Sequence, residues 1–283
     1  MKKKILVTGG SGYLGTHVRK YFQADNLSRR SGYDLNNNQS LSLIKNYDVI
    51  IHMAACVDKR AEAASRNFDI NVGGTIKLLE NLSQGQVFIY CSTKDVYGSH
   101  IDSYKQVPET CSTEYIGQNA YEWSKLIAEK YVEYYASKAK VRAGIFRLST
   151  VYAPATEGNV GGFVSFFAKA VKIGQPLQLK MRGEQIRDLL HVEDLAKAFE
   201  LFINSEIKQA CYNIGGGITN SITLYELTKL LGNLTERPAK VELSDEPVKE
   251  QIHYVTDISK LTRELNWQPK LDLETGLRTL LDI

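Results

Sequence analysis

From residue 5 to residue 148 the chain alternates short apolar runs with longer stretches of helical period. The runs at 5–8, 26–28, 49–52, 87–91 and 142–148 predict strands. The stretches at 13–22, 68–83 and 121–138 predict helices, the last free of Gly and Pro. Such alternation implies a parallel sheet with helices on both faces and ligands bound beyond the carboxyl ends of its strands. After Pro154 the texture changes to a loop at 157–162, a helix at 163–173, and shorter signals broken by Gly174-Gln175-Pro176 and Gly215-Gly216-Gly217. The expected architecture is an α/β chain, with a doubly wound parallel sheet over 1–152 and a smaller α/β unit over 153–283. The segment 187–205 is expected to return to the first unit as a strand and a helix.

The first strand runs straight into Thr8-Gly9-Gly10-Ser11-Gly12-Tyr13-Leu14-Gly15. Gly9 suits a tight strand-to-helix turn, Gly12 leaves room for a pyrophosphate at the helix N-terminus, and Gly15 lets the helix pack closely on the sheet. The helix dipole and the N–H groups at that end favour an anion. The segment predicts a dinucleotide site in a Rossmann-type unit; a plain strand-to-helix turn is the bland alternative.

Composition narrows the setting. A chain of 283 residues buries a core without staples. Its net charge, 35 minus 32, is +3 and gives no argument for nucleic acid. Lys2, Lys3 and Lys4 precede an apolar run too short for a secretory leader, and no stretch approaches the roughly 20 apolar residues of a membrane span. Cys56, Cys91, Cys111 and Cys211 lack CxxC spacing, which predicts reduced thiols in a cytoplasmic protein and neither a metal site nor a disulfide framework.

Tyr121 and Lys125 lie one turn apart on the same face of the predicted helix 121–138. A phenol that exchanges a proton with a sugar hydroxyl must ionise well below its free value of about 10, and a nearby ammonium favours the phenolate. Lowering it by ~3 units takes ~4 kcal/mol. Three other Tyr/Lys pairs share the spacing: Tyr90/Lys94 starts in a strand, Tyr134/Lys138 lies at the far end of the helix, and Tyr225/Lys229 falls in the second unit. Only Tyr121/Lys125 opens a helix after the strand that ends in Ser92-Thr93, hydroxyls placed to bond a substrate oxygen. The bland reading of Ser92 or Thr93 is a strand-end residue bonded to its own backbone.

Together these motifs resemble the extended short-chain dehydrogenase/reductases, in the branch of nucleotide-sugar epimerases, dehydratases and 4-keto reductases. The resemblance runs nearly end to end. It takes in the glycine motif, Ile51-His52-Met53-Ala54-Ala55, Asn71-Val72-Gly73-Gly74-Thr75, Val96-Tyr97-Gly98, Arg147-Leu148-Ser149-Thr150-Val151-Tyr152, Arg187-Asp188-Leu189-Leu190-His191, Tyr212-Asn213-Ile214-Gly215 and Leu265-Asn266-Trp267-Gln268-Pro269. It implies Tyr121 as acid/base, Lys125 on the nicotinamide ribose, Thr93 on the reacting oxygen, and Asn71 as a backbone support. It further implies cofactor contacts from Gly9, Gly12, Tyr13, Leu14, Gly15, Met53, Ala54 and Ala55, with Asp34 and Leu35 beside the adenine. Substrate contacts are implied for Ser92, Thr93, Asp95 and Thr150, and for Arg187 a grip on a diphosphate suited to a planar guanidinium. Helix 121–138 is implied to build a homodimer interface.

Some positions depart from the family. Its dehydratases carry Asp-Glu after the threonine, where Lys94-Asp95 stands here, so water elimination is not expected. Ser149-Thr150 replaces Phe-Asn, Ala153 replaces a glycine, and Pro247 replaces an arginine, with Lys249 as the alternative charge. An acid at the end of the second strand marks NAD and an arginine marks NADP. Asp25 comes too soon after Gly15 for that place; counting back from Asp34-Leu35 puts Ser28 or Arg29 there, followed by Arg30. NADP(H) is therefore favoured over NAD(H). The expected function is hydride transfer at a carbon, C4 by expectation, of a nucleotide sugar. Reduction of a non-sugar ketone or aldehyde, and a non-catalytic NAD(P)-sensing regulator, are the alternatives.

Overall fold

A computed structural model describes residues 3–35, 37–139, 141–156, 158–159, 161–248 and 251–283; Glu157 and Val160 of the expected loop, and Lys249, lie outside them. The strands are β1 (Ile5–Thr8), β2 (Asp25–Leu27), β3 (Val49–His52), β4 (Val87–Thr93), β5 (Arg142–Leu148), β6 (Thr150–Tyr152), β7 (Leu177–Leu179), β8 (Ile186–His191), β9 (Gln209–Ile214), β10 (Ser221–Thr223), β11 (Val241–Leu243) and β12 (His253–Tyr254). The helices are α1 (Tyr13–Phe22), α2 (Asn38–Ser42), α3 (Ala64–Asn67), α4 (Gly74–Glu80), α5 (Ala120–Ala139), α6 (Phe163–Ile173), α7 (Val192–Asn204), α8 (Leu224–Leu234), α9 (Ser259–Leu265) and α10 (Leu273–Leu281).

The central sheet runs β2-β1-β3-β4-β5-β9, parallel throughout. β3 and β4 are buried along their whole length, which explains their unbroken apolar runs. One face packs Val7, Ile51 and Phe146 under Val18 of α1, Leu195, Phe199 and Phe202 of α7, and Leu261 of α9. The other packs Leu6, Ile50 and Phe88 under Leu78 of α4 and Ala128, Val132 and Ala136 of α5. The doubly wound Rossmann-type arrangement is the one the pattern predicts.

Four elements differ from expectation. β2 starts one residue earlier, at Asp25. The helix expected at 68–83 begins sooner and widens into a π turn at Phe68–Gly73, ending at Glu80. Within that turn the side chain of Asn71 bonds the backbone of Cys56 both ways, accepting from its N–H and donating to its C=O. Of the segment 187–205, only the helix returns to the central sheet. β8 pairs with β6, β10 and β12 in a second sheet, where the buried Asp188 carboxylate accepts the N–H groups of Gly217 and Thr256. β9, absent from the sequence reading, returns instead and extends the central sheet beside β5. In the second unit α6, α8 and α10 share a core of Phe167, Val171, Leu227, Leu231 and Leu277, and α6 stops at Gly174 in the left-handed region.

Candidate active site

The glycine turn is as tight as its spacing implies. Gly9 has φ +71°, and a Cβ there would stand 2.6 Å from the Ala54 nitrogen. A Cβ on Gly15 would stand 2.2 Å from the Gly9 carbonyl oxygen, so Gly15 is required by the turn itself, not by the sheet. Gly12 caps α1 with no side-chain hydrogen bond, so no capping side chain meets the first-turn N–H groups. This bare cradle at a helix N-terminus fits a dinucleotide pyrophosphate.

Around it, Ser28 follows β2 and pairs its hydroxyl with that of Ser11 at 2.7 Å. Arg30 reaches back over the turn, its Nη1 donating to the Ser11 carbonyl and to Asn159 Oδ1 at 3.2 Å each, while Arg29 is exposed. Asp25 sits at the opposite end of β2 and accepts from the Tyr47 hydroxyl. Asp34 is half-buried, and Leu35 packs on the core beneath α4 and α5. Met53 and Ala54 follow β3, with Ala54 N–H on Thr8 Oγ1 at 3.4 Å; Ala55 is exposed. Tyr13 also makes a tertiary contact. Its hydroxyl lies between the Ala153 backbone and Ser165 Oγ, at 2.7 Å from each, and so ties α1 to the second unit.

The carboxyl end of β4 and the first turn of α5 meet at the next strand crossing. Tyr121 and Thr93 both line the cleft that opens there. Burial pushes the Tyr121 phenol up, the Asp95 charge adds to this, and the neighbouring Thr93 hydroxyl acts the other way. Lys125 is not among the groups that shift the Tyr121 phenol, and burial is the largest of those that do. Lys125 is buried over the ring of Tyr90, 4.3 Å from its centroid. Burial lowers its ammonium to about 8, partly offset by Cys91 and Glu129.

Ser92 lines the cleft, but its hydroxyl proton is taken by the protein. It donates to Glu129 of α5, and Glu129 holds Arg147 of β5 in a buried pair at 2.7 Å. A bond to its own backbone does not describe it.

Beyond the carboxyl end of β4 lies a cleft of about 1170 Å³ that gathers Leu14, Ser92, Thr93, Asp95, Tyr121, Thr150 and Arg187 from the expected set. The Asp95 carboxylate is bonded by Lys94 Nζ at 2.7 Å and Lys59 Nζ at 3.0 Å. Burial pushes its carboxyl up, but the two ammoniums prevail and hold it well below the usual carboxylate range. Arg187 is held in the cleft wall by the carbonyls of Ile186, Gln251 and Ile252. Sequence reading missed Lys59 and Gln251. Gln251 also accepts from Lys94 through its side chain and donates to the Gly98 carbonyl, in a segment that has no periodic signal. Asp194 and His191 are structural, the first accepting the N–H groups of Lys270 and Leu271 and the second capping α7.

A glycine cradle on a parallel sheet, opening toward a cleft that holds Thr93 and Tyr121, defines a Rossmann-type dinucleotide enzyme. Residues 5–215 match the NAD dependent epimerase/dehydratase family, and the chain belongs to it, in accord with the resemblance to the extended short-chain dehydrogenase/reductases. The chain is 32% identical to CDP-paratose 2-epimerase of Salmonella typhi, over 99% of this chain and 98% of that one. The fold matches UDP-glucose 4-epimerase of Thermotoga maritima with UDP-glucose at a TM-score of 0.86 and 24% identity, covering 99% and 97% of the two chains. It also matches RMD of Pseudomonas aeruginosa complexed with NADPH at 0.79 and 25%, covering 99% and 98%. No helix among the described residues is long and apolar enough to cross a membrane.

Proposed function

We propose that the protein moves a hydride between a nicotinamide and a sugar carbon, C4 by expectation, of a nucleotide sugar. The observation that carries this reading is Tyr121 beside Thr93 in the cleft walled by Arg187. When bound, the dinucleotide supplies the hydride acceptor and donor. Tyr121 takes the proton from the sugar hydroxyl as the carbonyl forms and returns it as the carbonyl is reduced, while Thr93 hydrogen-bonds the same oxygen. Lys125 holds the nicotinamide ribose, and Arg187 takes the substrate diphosphate. The identity to a CDP-paratose 2-epimerase favours C2 as the second reading.

Water elimination lacks support in this site. Asp95 stands where the dehydratases carry their second acid, and it is kept ionised between Lys94 and Lys59, so it has no proton for a leaving hydroxyl. The cofactor is proposed to be NADP(H), because no acid follows β2 and Arg30 lies over the glycine turn.

A panel of UDP-, CDP- and dTDP-hexoses and their 4-keto forms, incubated with NAD(H) and NADP(H), tests the reading. Product configuration by NMR and cofactor absorbance at the nicotinamide band are the readouts. Inversion or reduction at C4 supports the proposal; inversion at C2 alone moves the reacting carbon. Turnover of simple ketones with no response to any nucleotide sugar sinks the substrate assignment. Tyr121→Phe is expected to lose about 10²–10⁴-fold in kcat with cofactor affinity nearly intact. Near-normal turnover removes Tyr121 from the chemistry.

A further inference from the structure

Under the cofactor cradle runs a buried chain of hydrogen bonds whose direction every member fixes. Thr75 Oγ1 is 2.6 Å from the Asn71 carbonyl, an acceptor, so the only hydroxyl proton of Thr75 is spent there. His52 Nε2, 2.9 Å from the same oxygen, must then donate to it and carry the ring proton. His52 Nδ1 is left an acceptor, and Thr8 Oγ1 at 2.6 Å donates to it. Thr8 Oγ1 in turn accepts the Ala54 N–H. Beyond Asn71 the order continues: Asn71 Nδ2 donates to Ser124 Oγ at 2.8 Å, and Ser124 Oγ donates to the Tyr121 carbonyl at 2.7 Å.

We propose that His52 is a positioning residue, acting as a neutral Nε2–H tautomer that joins the glycine turn to the helix start carrying Tyr121. Thr8 and Ala54 flank Gly9, and Asn71 grips both the Cys56 backbone and Ser124. The cradle for the dinucleotide and the backbone of Tyr121 are thus members of one fully directed array. The ring of Tyr90 packs between the two ends, 5.7 Å from His52 and under the Lys125 ammonium. His52 is flanked by Phe88 on the same side and has no exposed edge. A proton added at Nδ1 would meet the proton of Thr8, and the Lys125 charge opposes it as well, so the array has a single protonation state. The role rests on the reading of Tyr121 as the proton-transfer group.

Labelling with ¹⁵N-histidine tests the array without any substrate. Of the five histidines, the signal lost in His52→Gln is expected to show a protonated Nε2 and a bare Nδ1, unchanged from roughly pH 5 to 8. Thr75→Val, which keeps the branched shape but breaks two links, is expected to lower kcat by about ten- to a hundredfold with the nucleotide sugar turned over in the panel above. The KM for that sugar should change little, and Thr75→Ser should restore the rate. A His52 ring that is protonated at Nδ1, or titrates near the free value, overturns the proposal. So does a Thr75→Val enzyme with lowered melting temperature but unchanged kcat, since a merely structural link would do that. Dispensability of Tyr121 would instead strike the proposed chemistry and leave the tautomer result standing.

Discussion

Lys125 combines two opposed demands in one residue. Its ammonium is buried against Tyr90, and burial takes it from an ordinary 10.5 to about 8. The folded state therefore disfavours the charged form, a penalty fully present below about pH 8 that fades as pH rises toward the unfolded value. At roughly 1.36 kcal/mol per unit, the shift amounts to about 3 kcal/mol. Lys125→Met is accordingly expected to melt higher than the parent at pH 7, with the gain shrinking above pH 8, while turnover and cofactor affinity fall. A variant that melts lower at pH 7 would show that the lysine stabilises its surroundings. Arg187 makes a different case, because backbone carbonyls already orient its guanidinium. Arg187→Ala should raise the nucleotide-sugar KM by about ten- to a hundredfold, the worth of a charge-assisted bond, with little change in NADPH affinity by calorimetry. Equal KM values would remove it from the diphosphate site. Tyr121, Lys125 and Thr93 were legible because their spacing coincides with an element boundary. Ser92 was not, because which way a strand-end hydroxyl turns depends on Glu129, more than thirty residues further along.

At the scale of elements, the pair of Arg147 and Glu129 joins β5 to α5 and, through Ser92, to β4. Removing one partner leaves the other charge buried without compensation, which costs about 3–5 kcal/mol. Glu129→Ala should therefore lower the denaturation midpoint sharply, and Glu129→Gln less so, as followed by urea unfolding. A Glu129→Ala midpoint equal to the parent's would mean that the pair adds nothing to the docking of α5. The proposed NADP(H) preference belongs to the end of β2, which stops at Leu27, so that Ser28, Arg29 and Arg30 follow where an acid would select NAD. Replacing both arginines by alanine is expected to weaken NADPH binding selectively over NADH; equal affinities in the parent would reject the preference. These elements also show where sequence patterns stop informing. β3, β5 and α6 emerged with their expected limits because continuous burial or a glycine stop writes itself into the pattern. The π turn at Phe68–Gly73 leaves no period, and β9 mixes polar and apolar positions because only its last residues, Tyr212, Asn213 and Ile214, are buried. The partners of β8 follow from Asp188, whose backbone ligands come from distant turns.

For the molecule as a whole, α5 has more apolar surface than its own sheet covers. Ala128, Val132 and Ala136 face the core, whereas Trp123, Tyr131 and Tyr134 remain 37%, 39% and 55% exposed on other faces. Tyr131, Tyr134 and Tyr135 form a contiguous aromatic group, and Trp123 pairs separately with Tyr115. A surface helix that exposes so many rings gains by burying them against a second copy of itself, since self-matching apolar faces suit a two-fold dimer. The expected species is a homodimer joined through α5, the assembly that the family resemblance also implies. Light scattering should return twice the chain mass of 31.8 kDa at micromolar concentrations, and Tyr131→Glu with Tyr134→Glu should shift it to the single-chain value. Because Tyr121 and Lys125 stand on the same helix, the monomerised variant is also expected to lose part of its turnover, through a less firmly held α5. A parent protein that scatters as a single chain across that range would assign the tyrosines to the surface of a monomer and end the dimer reading.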